Sequence, residues 1–209
     1  MPKRVDPDAR REQVADAVIE EIVEHGLRAV TLARISARTG LSIGSIRHFF
    51  GDNLREVMRF TLGMLTQRVT SQTFTLSDDP LERVADVLTF AAPTTEQQRR
   101  EHIAFTEYRV LARTDPELAA EISGTAQLGT EVIRTLLRDA LAGRRIDEEM
   151  FDQDANQLFT LIEGLSFSSA LRTTPLSEAE VRAIATATVD RLRAAYPLVD
   201  AAPAAPAAG

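Results

Sequence analysis

The stretch TLARISARTGLSIGSIRHFF, residues 31–50, leaves the chain little freedom in how it folds. Thr31 can cap a short helix running from Leu32 to Thr39. Gly40 can end that helix, because glycine takes the left-handed closing conformation without strain. Ser42 can cap a second helix almost at once. Two short helices joined by so tight a turn must bury their apolar faces on a third. Val14, Val18 and Ile22, with Ala15, Ile19 and Val23 beside them, form the stripe that can receive them. It opens at Asp6-Pro7, an N-cap and first-turn proline, and stops at Gly26. Ile35 and Ala37 on the first short helix, and Ile46, Phe49 and Phe50 on the second, are expected to face it, with Leu41 plugging the turn.

Fixing those residues inward turns Ile43, Gly44, Arg47 and His48 toward solvent. Thr31, Ser42 and Ser45 then sit at helix starts, where hydroxyls and free backbone N–H groups suit phosphate. An arginine can grip phosphate or pair with guanine, and Gly44 lets the backbone approach closely. On the pattern alone a helical hairpin with incidental polar residues competes with a DNA-reading one. Charge favours the second. The chain as a whole carries −7, yet from Leu27 to Arg55 five arginines (Arg28, Arg34, Arg38, Arg47, Arg55) face the single acid Asp52. That is a local +4 on a remainder of −11, the balance expected of a protein that must both bind DNA and leave it.

Helical periodicity dominates the whole chain, with no convincing period-two run, so an all-α fold of about nine helices is expected. Asn53 with Glu56 reads as a capping box for a long fourth helix, and Ser177 with Glu180 as another for the last. Asp79-Pro80 and Asp115-Pro116 are further cap-plus-proline starts, while Pro93, Pro175 and Pro197 end or separate segments. The tail 197–209 has nothing to bury and is expected to be disordered. With no cysteine among 209 residues, disulfides, thiolate metal sites and cysteine nucleophiles are excluded. No leader core or membrane-length apolar run is seen, so a cytoplasmic protein without a membrane partner is expected.

Residues 31–50 resemble the helix-turn-helix of the TetR/AcrR family of bacterial transcriptional regulators. The match runs through Thr31, Ile35, Ala37, Gly40, Ser42, Gly44, Ser45, Ile46, His48, Phe49 and Phe50. It implies a homodimer whose third helix enters the major groove of a pseudo-palindromic double-stranded operator. Thr31, Ser45 and Arg47 would then lie near phosphates and Ile43, Gly44 and His48 near base edges, with Arg34 and Ser42 completing the DNA-binding set. Two positions depart from the family. Its usual tyrosine is Arg47, which can hold phosphate, read guanine or simply pair with Asp52, and a frequent lysine is Asn53. The implied organisation is a DNA-binding domain over 1–58 and a ligand-binding and dimerisation domain over 59–196.

LIEGLSFSSAL and PLSEAEVRAIATATVDRL resemble the last two helices of the family's BetI-like subgroup, which implies an intersubunit four-helix bundle. Phe159, Ile162, Leu165, Ser169, Ile184 and Thr188 are its expected interface. The family also implies an effector pocket. His102, Phe105, Thr106 and Arg109 share a helix face suited to a ligand with an apolar body and an anionic end, and Phe159 and Glu163 could complete a wall. The competing reading makes Phe105 core and gives His102 and Arg109 to ion pairs. No catalytic signature is present, and no cofactor or metal is expected. Glu21 and His25, four apart, read as a solvated helix face rather than a metal pair. The expected function is a ligand-responsive repressor. The alternative is a helical small-molecule-binding protein without DNA-regulatory activity.

Overall fold

The computed structural model describes residues 6–71 and 76–199. Among them the chain forms nine α-helices and no strand beyond one isolated bridge between Arg144 and Leu198. The helices are α1 (Pro7–His25), α2 (Leu32–Thr39), α3 (Ile43–Phe50), α4 (Leu54–Ser71), α5 (Pro80–Ala91), α6 (Glu96–Ala112), α7 (Pro116–Ala140), α8 (Glu148–Leu171) and α9 (Glu178–Ala195), with a 3-10 turn at Leu27–Ala29 after α1. None of them is long and apolar enough to cross a membrane.

The starts follow the caps. Asp6 accepts from the Asp8 N–H, Asp79 from those of Leu81 and Glu82, and Asp115 from that of Leu118. Ser177 and Glu180 close the expected reciprocal box, and Thr95 with Gln98 makes a second one that opens α6. Asn53 does not form the expected box. Its Oδ1 takes the Arg55 N–H instead, and the Glu56 carboxylate turns to Arg59, 3.4 Å away.

The helices pack as two compact units. The first contains α1–α4, α6, the start of α7 up to Gln127 and the end of α8 from Ser166. Its core joins Val14, Val18 and Ile22 of α1 to Ile35 of α2 and Ile46 of α3, and continues into Val57, Leu62 and Leu65 of α4 and Ala104 and Tyr108 of α6. Packing therefore does not break at residue 58, because α1 is long enough to serve the short helices and α4 and α6 together. Arg68 pins the three long helices with charge-assisted bonds to Asp16 of α1 (2.8 Å) and buried Glu101 of α6 (3.1 Å).

The second unit contains α5, the rest of α7, α8 up to Leu165 and α9. Leu81, Val84 and Leu88 meet Leu137, Phe151, Leu158, Val189 and Leu192 there. Buried Asp154 accepts from Arg191 (2.6 Å) and from the Tyr196 hydroxyl (2.9 Å), locking α9 to α8. At Gly129 a Cβ would come within 2.7 Å of the Phe159 ring, so α7 and α8 approach as closely as the missing side chain allows. Residues 197–199, expected to lie in the disordered tail, are paired. Pro197 and Val199 make backbone bonds with Arg145 and Gly143, while residues 200–209 lie outside the described residues.

Candidate nucleic-acid interface

Each short helix is fixed at both ends by its own sequence. Thr31 Oγ1 accepts from the Arg34 N–H (3.2 Å), and Gly40, at φ 69°, closes α2 by donating to the Ser36 carbonyl. Ser42 Oγ accepts from the Ser45 N–H (3.1 Å) to open α3. The Ser36 hydroxyl ties the turn by donating to the Leu41 carbonyl (2.6 Å). At the far end of α3, Arg11 of α1 donates to the Phe49 carbonyl (3.2 Å), with its guanidinium about 6 Å from the Phe50 and Phe60 ring centroids. One cation thus holds the last turn of α3 and lies over two aromatic faces.

Burial sorts the motif. Ile35 and Ile46 are fully buried and Phe50 nearly so, with Phe49 and Leu41 packed at the edge. Ala37 is exposed, contrary to its expected inward role, since it lies about 200° around α2 from Ile35, whose face, with Leu32, packs on the core. Ile43, Gly44, Arg47 and His48 are exposed on α3, and Thr31, Arg34 and Ser42 are exposed at the helix starts, with Ser45 half-buried. Arg47 Nε lies 3.3 Å from Asp52, both side chains well exposed. An ion pair so open to water is worth little and exchanges readily.

Arginine charge on this face is far less bare than the local count suggests. Arg38 reaches Glu20 (3.1 Å), Glu21 (3.0 Å) and Glu24 (2.6 Å), and Arg34 Nε bonds to Glu21. Arg55 reaches Asp115 (3.4 Å) and Glu117 (2.7 Å). Burial pushes the Glu21 carboxyl up, but hydrogen bonds from Arg38 and Arg34 outweigh it and hold the group below the usual carboxylate range. His25 also lies against Glu21, at 3.1 Å. The pair spotted in the sequence therefore belongs to an arginine–carboxylate network, and no metal-holding cluster occurs among the described residues. Glutamates at 20, 21 and 24 opposite arginines at 34 and 38 were the available signal. Each set has its own four-residue helical spacing, which a count confined to 27–55 does not see.

Of the expected effector residues, the structure joins His102 and Thr106 on α6, where the Thr106 hydroxyl is spent on the His102 carbonyl (2.9 Å). Phe105 packs against the first unit's core. Arg109 is half-buried and has a partner, as does Glu163. Phe159 and Glu163 belong to the second unit, where Phe159 packs on Gly129. Sequence reasoning missed Ser166, whose Oγ lies 2.5 Å from His102 Nδ1.

Burial lowers the His102 pKa below its ordinary 6.5, against an opposing pull from Glu101. The unfolded chain then takes this proton first, so stability is lost as pH falls from 6.5 toward the folded value. Urea titrations between about pH 5.5 and 6.5, above the range where the Glu21 and Glu24 carboxyls, ordinarily at 4.5, take up protons, should show the onset of that loss. His102→Gln should remove it, and an unchanged slope would refute the assignment.

The expected dimer residues divide. Leu165 and Ser169 are already buried within the protomer, Leu165 among Ala92 and Val181, so they do not offer a surface to a partner. Phe159, Ile162, Ile184 and Thr188 are half-buried. Along α8 the exposed residues at helical spacing are Thr160, Gly164, Phe167 and Leu171, and along α9 Ala183 and Ala187. Phe167 and Leu171 keep 50% and 54% of their surface in water.

A family model described as the BetI-type transcriptional repressor, C-terminal, matches residues 80–194. The HTH-type transcriptional regulator PksA of Bacillus subtilis (strain 168) is 27% identical over 175 residues, covering 82% of this chain and 83% of that protein. The HTH-type regulator BetI of Burkholderia mallei (strain NCTC 10229) is 36% identical over 91 residues, spanning 42% of this chain and 47% of its own length. Among solved structures, a transcriptional regulator from Rhodococcus sp. Rha1 has a TM-score of 0.76 at 19% identity, covering 90% of this chain and 98% of that one. A regulator from Saccharomonospora viridis, in complex with choline, has a TM-score of 0.71 at 17% identity and covers 88% and 96%.

Proposed function

Because this chain belongs to the TetR family of transcriptional regulators, in its BetI-type branch, we propose that it is a homodimeric repressor released from its operator by a small molecule. It acts in the cytoplasm, and no catalytic role is proposed. One observation carries the DNA reading. Two capped helix starts, at Thr31 and Ser42, flank an outward row of Ile43, Gly44, Arg47 and His48 on a helix whose other face is sealed by Ile46 and Phe50. Helix starts and Arg47 grip phosphate while Ile43, Gly44 and His48 meet base edges.

Dimerisation is assigned to the exposed faces of α8 and α9, with Phe167 and Leu171 in place of Leu165 and Ser169. A two-fold dimer carries α3 into successive major grooves about 34–36 Å apart. Selection from random DNA should return a pseudo-palindrome, and binding should weaken steeply with salt. A site without dyad symmetry would overturn the architecture. Absence of DNA binding at low salt would favour a helical small-molecule binder instead.

Arg47 is expected to exchange Asp52 for a phosphate. Arg47→Ala should weaken every sequence alike, by about 1–3 kcal/mol per head, and lower the salt slope by about one per head. Relaxed preference at one base pair would instead assign Arg47 to guanine. Unchanged affinity on all DNA would leave only the ion pair.

A further inference from the structure

The end of α8 runs against α6 in the first unit, and two contacts fix the register. His102 meets Ser166 through Nδ1 and Oγ at 2.5 Å, and Arg99 donates to the Arg172 carbonyl at 3.1 Å. The helices are therefore antiparallel here. Ser169 lies midway between Ser166 and Arg172, the residue that continues the last turn of α8, both in height and in rotation about the axis. Helical geometry therefore turns it toward the seam between Arg99 and His102.

Ser169 is fully buried, and its hydroxyl has no hydrogen-bond partner. That is unusual for this chain, whose helical threonines turn their hydroxyls back onto the carbonyl four residues earlier, as Thr61, Thr89, Thr106 and Thr188 do. Ser169 has the same option and does not use it. Across the seam Arg99 Nε is also buried and unpartnered. Two orphaned donors in one short stretch require an acceptor. Nearby acids are committed elsewhere. Glu101 accepts from Arg68 (3.1 Å) and Gln97 (2.8 Å). His102, neutral by burial, adds an Nε2–H donor when the Ser166 hydroxyl donates to Nδ1.

We propose that this α6–α8 seam seats the anionic group of the effector, a carboxylate that accepts from the Ser169 hydroxyl and Arg99 Nε–H. The proposal rests on the effector reading above and adds the donors that hold its anionic end. A carboxylate is opposite in charge to the choline bound by the Saccharomonospora regulator, and a seam of donors beside a guanidinium cannot favour a quaternary ammonium.

The test uses the full chain with acetate and benzoate as probes, acetamide and benzamide as neutral isosteres, and choline. Saturable shifts of the His102 ring resonances are expected with the two carboxylates only, accompanied by release from the selected operator. Ser169→Ala should weaken benzoate about tenfold without lowering Tm, since one charge-assisted bond is removed. Arg99→Lys, which keeps the charge but not the Nε geometry, should fall between wild type and Arg99→Gln. Shifts with choline or the amides and none with the carboxylates would overturn the proposal while leaving an effector-released repressor intact. A silent titration with every probe would overturn it too. So would a Ser169→Ala variant that melts lower while binding benzoate normally, because the hydroxyl would then be structural.

Discussion

Glutamate at both Phe167 and Leu171 is expected to turn the proposed dimer into folded monomers and to weaken operator binding by about a thousandfold or more. Both side chains are about half in water in the protomer, so charging them costs its fold little. In a dimer they would be covered, and like charges brought together across a two-fold axis repel. A single head then retains half of the phosphate contacts and falls toward non-specific affinity. Sedimentation should show the monomer, with a melting profile near that of wild type. Leu165→Glu makes the contrast. It places a carboxylate among Ala92 and Val181, so it should lower Tm in the protomer itself. A stable dimer in the Phe167/Leu171 variant would move the interface elsewhere.

Ile46→Ala should abolish DNA binding by a different route. Ile46 is fully buried, on a helix of eight residues that has no stability of its own. Losing three buried carbons there costs about 2–5 kcal/mol, a large share of the roughly 5–15 kcal/mol that holds a domain together. Amide exchange should rise first in α2 and α3, while the second unit, with its separate core, keeps its protection. Ala37→Glu, at an exposed position of α2, should change stability by no more than about 0.5 kcal/mol. Equal damage from the two substitutions would contradict the burial pattern.

The helices were largely readable because their boundaries are written locally. Thr31, Ser42, Asp79 and Ser177 cap helices whatever lies around them, and Gly40 must supply the positive φ that ends α2. What a face packs against is not local. LIEGLSF is apolar around much of its circumference, which fits a subunit interface and a protomer core equally well. The structure divides it, with Leu165 inside and Phe167 outside. Ala37 is apolar, but two residues beyond Ile35 it lies about 200° around the helix and so on the opposite face. Asn53 and Glu56 have the spacing of a capping box, yet Arg59 competes for the glutamate. Ser169 carried no signal at all, since a serine in a helix gains meaning only from the α6 residues opposite.

The carboxylates that hold Arg34, Arg38 and Arg55 bear on how such a protein would find its site among millions of wrong ones. Each of these arginines already has an internal counterion, so leaving it for a phosphate gains less than a bare cation would. Non-specific adhesion, which draws almost entirely on such contacts, is weakened most. The complex on a correct site keeps what base edges and helix starts add. A head built this way would trade tenacity for a short residence on irrelevant DNA, with its time concentrated where the sequence fits.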